Sequence, residues 1–139
     1  MQEGEYINKL RLKEGFNISS PNNGLRIWSN NPIVILKNSD HIQIVETTAK
    51  KKKVFVINVH LDTKKSRRRH QIDELTADIQ HLEHSYDETN TICVGDFNCE
   101  RPELTSLTLK FQSPDVPTWR RSKREQFTSK LDRARHQYR

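Results

Sequence analysis

Two short runs of the chain hold residue types that can do chemistry. The first is Gly95-Asp96-Phe97-Asn98, which closes the apolar run Thr91-Ile92-Cys93-Val94. Asp96 and Asn98 are two residues apart, so on extended backbone their side chains point the same way. A carboxylate there can take a proton from water, and an amide beside it can orient that water or hold an oxyanion. Gly95 permits a sharp turn or a close approach of backbone. An Asx turn leaving a strand would use the same residues. The second run is Asn58-Val59-His60-Leu61-Asp62, after the apolar Val54–Ile57. Here Asn58, His60 and Asp62 alternate with Val59 and Leu61, so three polar groups share one face. A histidine so placed can hydrogen-bond a phosphate oxygen or relay a proton. A strand leaving the core and turning polar would look the same. Two such strands ending in polar clusters favour a ligand site, because α/β folds bind ligands at strand ends.

The elements that must carry these residues are legible from periodicity. Val54–Val59 is nearly all apolar and β-branched, which predicts a central strand covered on both faces. Ile72, Leu75, Ile79 and Leu82 step by 3, 4 and 3, giving one apolar helix stripe that ends near Tyr86. Ser66 is a candidate N-cap for that helix. Thr91–Val94 is a second buried strand. The middle of the chain therefore reads strand, helix, strand, in a layered α/β or α+β fold. Upstream, Leu25–Trp28 reads as a short strand, Ile33–Leu36 is an apolar run, Lys37–Asp40 is a turn, and His41–Thr47 is a half-buried strand. Lys50–Lys53 forms a hairpin tip, and the first 24 residues are polar and irregular. Leu104–Phe111 fits helix or strand, and residues 120–139 give no clear pattern. His70, His81 and His84 are expected at the surface, and Trp28 and Trp119 in the core.

Composition bounds the rest. The 139 residues suit one domain, with 32% hydrophobic and 30% charged residues. That is a small apolar share for a compact core. No apolar run approaches the roughly 18 residues of a membrane span, and no signal peptide is evident, so an intracellular chain is expected. Cys93 and Cys99 are expected as free thiols, without zinc-ligand spacing. The net charge of +6 is uneven: residues 101–139 hold ten Lys/Arg against four Asp/Glu, while residues 1–100 hold fourteen of each. A basic segment points to an anionic partner such as a nucleic-acid backbone, or to a solvated tail.

Five motifs in order then resemble the endonuclease/exonuclease/phosphatase superfamily. Asn58-Val59-His60-Leu61 resembles its Asn-x-His-Leu. Arg68-Arg69-His70-Gln71 with Leu75 matches Arg-x-x-Gln-x-x-x-Leu. Gly95-Asp96-Phe97-Asn98 is the Gly-Asp-Phe-Asn motif in full. Pro117-Thr118-Trp119 with Leu131-Asp132-Arg133, and Gly24–Ser29, are similar to two further segments. The match runs from about residue 24 to 133, with 134–139 a divergent tail, so residues 1–139 are expected to be one partial domain.

The resemblance implies an incomplete DNase I-like α/β fold, a two-layer β-sandwich flanked by helices. It also implies a Mg²⁺- or Mn²⁺-dependent phosphodiester hydrolase, with nucleic acid the expected partner. Carried over by residue, His60 would contact the scissile phosphate, Asp96 would activate or orient the attacking water, and Asn98 would fix both. Asp132 would support the site and the leaving group. Asn58 and Thr118 would be supporting residues, Glu3 the metal ligand, and Arg68, Arg120 and Arg121 contacts to the substrate backbone. The family's first strand and its closing Ser-Asp-His have no counterpart here, and no strand is expected after Arg133 to carry His136. The alternatives are a catalytically impaired remnant that binds nucleic acid or protein, and a phosphoinositide or phospholipid substrate.

Overall fold

A computed structural model of the chain describes residues 15–22, 24–86, 90–107, 110–112 and 132–137. Eight strands and one long helix occur among them. The strands are β1 (Phe16–Ser19), β2 (Arg26–Ser29), β3 (Val34–Asn38), β4 (Ile42–Ala49), β5 (Lys52–His60), β6 (Thr91–Asp96), β7 (Lys110–Gln112) and β8 (Asp132–Gln137). The helix, α1, is Lys65–Ser85, and a 3-10 turn covers Arg101–Leu104. Six strands form one mixed sheet in the order β3-β4-β5-β6-β8-β7, and β1 and β2 form a separate two-stranded sheet. Only β5 and β6 run parallel among these pairs, because α1 carries the chain across one face between them.

The two faces of the large sheet follow from period-two alternation along β5. Phe55, Ile57 and Val59 point toward α1. There they pack with Ile42, Ile44, Ile72, Leu75, Ile79, Leu82, Cys93 and Phe97 in the main core. Val56 points to the opposite face, where Val45, Ile18, Ile27 and Ile33 form a second, smaller cluster under the β1-β2 hairpin. Both faces of β5 are thus covered, as its apolar run requires. The result is an incomplete sandwich of two sheets with a helix on its outer face.

Several local expectations are corrected. Phe16–Ser19 is a strand although its segment is polar; its pairing with β2 forms it, and Ile18 alone is buried. β3 continues through Lys37 and Asn38, and the turn lies at Ser39, whose amide donates to the Ile42 carbonyl at 2.9 Å. The hairpin tip is Lys50-Lys51, both at positive φ, with Lys52 and Lys53 already paired in β5. Ser66 is not the cap of α1: Lys64 is at the N-cap, and Asp62 Oδ1 accepts its amide at 2.7 Å. Leu104–Phe111 divides into the end of a 3-10 turn and the start of β7. A strand does follow Leu131: β8 carries Asp132 to Gln137, paired with β6 and β7. Its polar sequence hides it, because main-chain pairing on both sides makes the strand.

Candidate active site

His60 is the last residue of β5 and Asp96 the last of β6, and the parallel register sets them side by side. Their side chains meet loosely, with His60 Nε2 4.0 Å from Asp96 Oδ2. That distance is too long for a hydrogen bond. The His60 side chain is 37% exposed and that of Asp96 22%. The pair is therefore open at one side. The main chain beneath it is fixed: the His60 amide donates to the His41 carbonyl at 3.0 Å, and the Leu61 amide to the Asp96 carbonyl at 2.9 Å.

Asn98 is brought to the same place by a tight turn. Its amide donates to Asp96 Oδ1 at 2.9 Å and its Nδ2 donates to the Leu61 carbonyl at 2.7 Å. It has a φ of 48°, a left-handed conformation that asparagine tolerates better than most residues. The Asx turn and the candidate cluster are thus the same structure. Asp96 is oriented by Asn98, and Asn98 is tied to the end of β5. Gly95 is required by close approach: a Cβ there would collide with the Val59 carbonyl oxygen and lie 2.8 Å from the Val59 amide nitrogen, at a φ of 139°. Any side chain at this position would push β6 away from β5 just before the site.

Asn58 lies two residues before His60 on the same face and is almost wholly buried. Its Nδ2 donates to the Arg26 carbonyl at 3.3 Å and to Gln43 Oε1 at 3.4 Å, linking β5 to β2 of the small sheet and to its neighbour β4. Gln43 itself is fully buried and donates to Asn38 Oδ1 at 3.1 Å. Its role was not visible in the sequence; the signal was a lone polar residue among Ile42, Ile44 and Val45. Gln71, one residue of the helix motif, accepts the Asp62 amide at 2.7 Å and so fixes the loop that leaves His60.

The other candidates are placed differently. Arg68 is not at the surface but buried on α1, where its guanidinium makes a two-pronged pair with Glu103 at 2.8 and 2.9 Å. It also donates to the carbonyls of Asp62 and Thr63. That hydrogen bond from Arg68 holds the Glu103 carboxyl below its ordinary range, with burial opposing. A guanidinium so engaged is structural rather than a substrate-backbone contact, which corrects the expectation for Arg68. Asp132 stands opposite Asp96 in the β6–β8 register, so the backbone brings it to the site. His136 stands opposite Ile92, four positions further along, and not at that end. Glu3, Thr118, Trp119, Arg120 and Arg121 lie outside the described residues.

Among the described residues, no group of three or more His, Cys, Asp and Glu is arranged to hold a metal. Asp96 does supply one hard oxygen donor in an open position, and Mg²⁺ needs only one or two carboxylates when water and substrate complete its shell. A hard carboxylate oxygen fits that ion. His70, His81 and His84 are all exposed on α1. Cys93 and Cys99 are buried and form no disulfide, and no helix among the described residues is long and apolar enough to cross a membrane. Trp28 is half-buried beside a cavity of about 330 Å³ between the hairpin and the large sheet, which Asn58 and Val94 also line.

No protein-family model matches the chain, and no curated protein matches it. Solved structures do. Truncated TDP2 of Caenorhabditis elegans superimposes with a TM-score of 0.67 at 17% identity, over 96% of this chain and 65% of that one. Beta toxin of Staphylococcus aureus, as a mutant with bound magnesium ions, gives 0.60 at 19% identity, over 81% and 52%. A humanized D. rerio TDP2 gives 0.67 at 13% identity, over 99% and 68%. The chain thus shares the fold of these structures, an incomplete DNase I-like α/β fold. It spans 65% of the first of these structures and 52% of the second.

Proposed function

Taking this incomplete DNase I-like fold as premise, we propose that the chain is a metal-dependent phosphodiester hydrolase acting on nucleic acid. The observation that carries the reading is the partly exposed pair of His60 and Asp96, 4.0 Å apart on adjacent parallel strand ends, with Asn98 tying Asp96 to the Leu61 carbonyl beside His60. The Asp96 side chain is 22% exposed, with Oδ1 accepting from the Asn98 amide and Oδ2 on the side of His60, where water can approach. In the reaction, water attacks phosphorus in line, its proton passes to Asp96, and the bond to the leaving oxygen breaks. His60 donates a hydrogen bond to a phosphate oxygen as charge grows there. Asn98, with one Nδ2 hydrogen committed to Leu61, keeps the other for the phosphate or the water.

Mg²⁺ or Mn²⁺ would be held by Asp96 together with Glu3, and when bound supplies Lewis-acid stabilisation of the phosphoryl charge. The bound magnesium of the beta toxin supports a divalent ion. Nucleic acid is favoured over a lipid or inositol phosphate by the +6 carried in residues 101–139, which include Arg120 and Arg121 as contacts to the substrate backbone. Asp132 would support the leaving group, and Thr118 would shape the pocket. An intracellular setting belongs to the same proposal, in keeping with two cysteines that form no disulfide.

The test is a cleavage panel of single-stranded DNA, abasic duplex DNA, poly(A) RNA and a phosphoinositide, with Mg²⁺ and with chelator. Chelator-sensitive cleavage of a nucleic acid is expected. Cleavage of the phosphoinositide alone would overturn the substrate class. No turnover by folded protein would overturn the catalytic reading.

A further inference from the structure

Helix α1 is charged against its own dipole. Every Lys and Arg of the helix and its N-cap falls within Lys64–Arg69, and every Asp and Glu falls from Asp73 onward. Helices ordinarily carry acids in the first turn, because the N-terminus is the positive end of the macrodipole. Here the first turn holds none. The fold compensates one of these bases and leaves the rest outside. Arg68 is buried and paired with Glu103. Lys64, Lys65, Arg67 and Arg69 are exposed. Arg67 meets Asp62 only loosely, at 3.7 Å with its side chain 70% exposed. Lys65 acts on Glu103 through space, less strongly than the hydrogen bond from Arg68. Among the described residues, no ion pair engages the side chains of Lys64, Lys65 or Arg69.

We infer that Lys64, Lys65, Arg67 and Arg69 grip the phosphate backbone of the substrate strand beside His60, a placement that rests on the proposed nucleic-acid hydrolase function. The bases stand close to the site. Lys65 follows His60 by five residues, a contour of at most about 18 Å, or roughly five steps of a duplex strand at about 3.4 Å each. They also flank the helix on two sides. Lys65 and Arg69 line an open cleft of about 420 Å³ with Thr105 and Ser106, where the acids are Asp73 and the already paired Glu103. Arg67 lies toward Asp62 instead. A helix with its side chains is about 10–12 Å across, so one small anion cannot reach both flanks. A chain of singly charged phosphates can. An anionic membrane fits less well. The segment 63–70 has no apolar side chain to insert, and the apolar stripe of α1 is buried in the core.

The experiment is fluorescence anisotropy of a labelled duplex and a labelled single strand with the full 139-residue chain, in chelator across a NaCl series. Lys65→Gln with Arg69→Gln is compared with wild type. The control is Lys50→Gln with Lys51→Gln, which removes the same charge at the hairpin tip, at the other end of β5 from His60. Thermal melts check folding. The cleft pair is expected to weaken binding about tenfold or more and to flatten the salt slope by about one per lost phosphate contact. The control pair is expected to leave both near wild type. Equal weakening by the two pairs would reduce the effect to net charge and overturn the inference. So would unchanged binding by the cleft pair, or binding to phosphatidylserine vesicles and not to either nucleic acid. If the double variant does not fold, Arg69→Gln alone is read by the same slope and the same criteria. Binding in chelator needs no turnover, so loss of the hydrolase reading would leave this measurement standing. Cleavage of nucleic acid with unchanged binding by the cleft pair would overturn the grip alone.

Discussion

Two pairings of a carboxylate with a basic side chain join the β5–α1 unit to the segment from the end of β6 onward, and they are built oppositely. Arg68 and Glu103 meet through two hydrogen bonds of 2.8 and 2.9 Å, with the guanidinium buried and two further carbonyls on it. His60 and Asp96 stand 4.0 Å apart, with His60 more than a third exposed. Arg68, His60 and Asp96 all stand in family-like motifs and look equally functional as letters. Burial and distance are what separate them. A guanidinium buried and gripped on two sides holds structure, whereas a loosely spaced and partly exposed pair at strand ends can receive a ligand.

The comparison makes predictions that differ in kind. Largest is Gly95→Ala, which sets a Cβ against the Val59 backbone and forces a strained φ. It is expected to cost more than about 4 kcal/mol, a large part of the stability of a small domain, and to appear as loss of cooperative melting. His60→Ala should lower turnover roughly 10²- to 10⁴-fold while leaving the melting temperature near wild type. Arg68→Ala should do the reverse. It strands Glu103 and is expected to destabilise by about 2–4 kcal/mol, less than for a wholly buried pair because Glu103 is 29% exposed. Turnover per folded molecule would be little changed. Replacing both, as Arg68→Met with Glu103→Leu, should restore most of the stability, as read by urea unfolding.

The smallest effect is at Glu74, under the β3 edge. Burial pushes its pKa up, but hydrogen bonds from Lys37 and His41 outweigh that and hold it below its ordinary 4.5. A carboxyl lowered in the folded state stabilises above its unfolded pKa and loses that contribution as pH falls through the folded one. Wild type should therefore lose more stability than Glu74→Gln on acidification below about 4.5, by less than about 1 kcal/mol since the pair is partly exposed. Lys37, raised by Asp78 and Glu74 against the lowering effect of burial, behaves oppositely. Its contribution is complete below 10.5 and is lost only in more alkaline solution.

Legibility in the sequence followed the same division. The runs Val54–Val59 and Thr91–Val94, and the stripe Ile72-Leu75-Ile79-Leu82, revealed β5, β6 and α1 because burial on defined faces leaves a hydrophobic period. Asp96, Asn98 and His60 were legible because their spacing puts them at the ends of those strands. Strands β1 and β8 were not, since main-chain pairing makes them and their side chains carry almost no apolar pattern. The fate of Arg68 was hidden for a different reason: its partner Glu103 lies 35 residues away, and only the fold shows that its charge is already matched. Gln43 was concealed because a strand covered on both faces buries residues that alternation alone assigns to solvent.

The most direct measurement is Mg²⁺-dependent phosphodiester cleavage by Asp96→Ala beside wild type, with thermal melts of both. The account predicts at least a hundredfold loss of turnover with a folded protein, because Asp96 alone among the described carboxylates joins His60 and Asn98 at the strand ends. Undiminished cleavage by folded Asp96→Ala would contradict it and place the chemistry elsewhere.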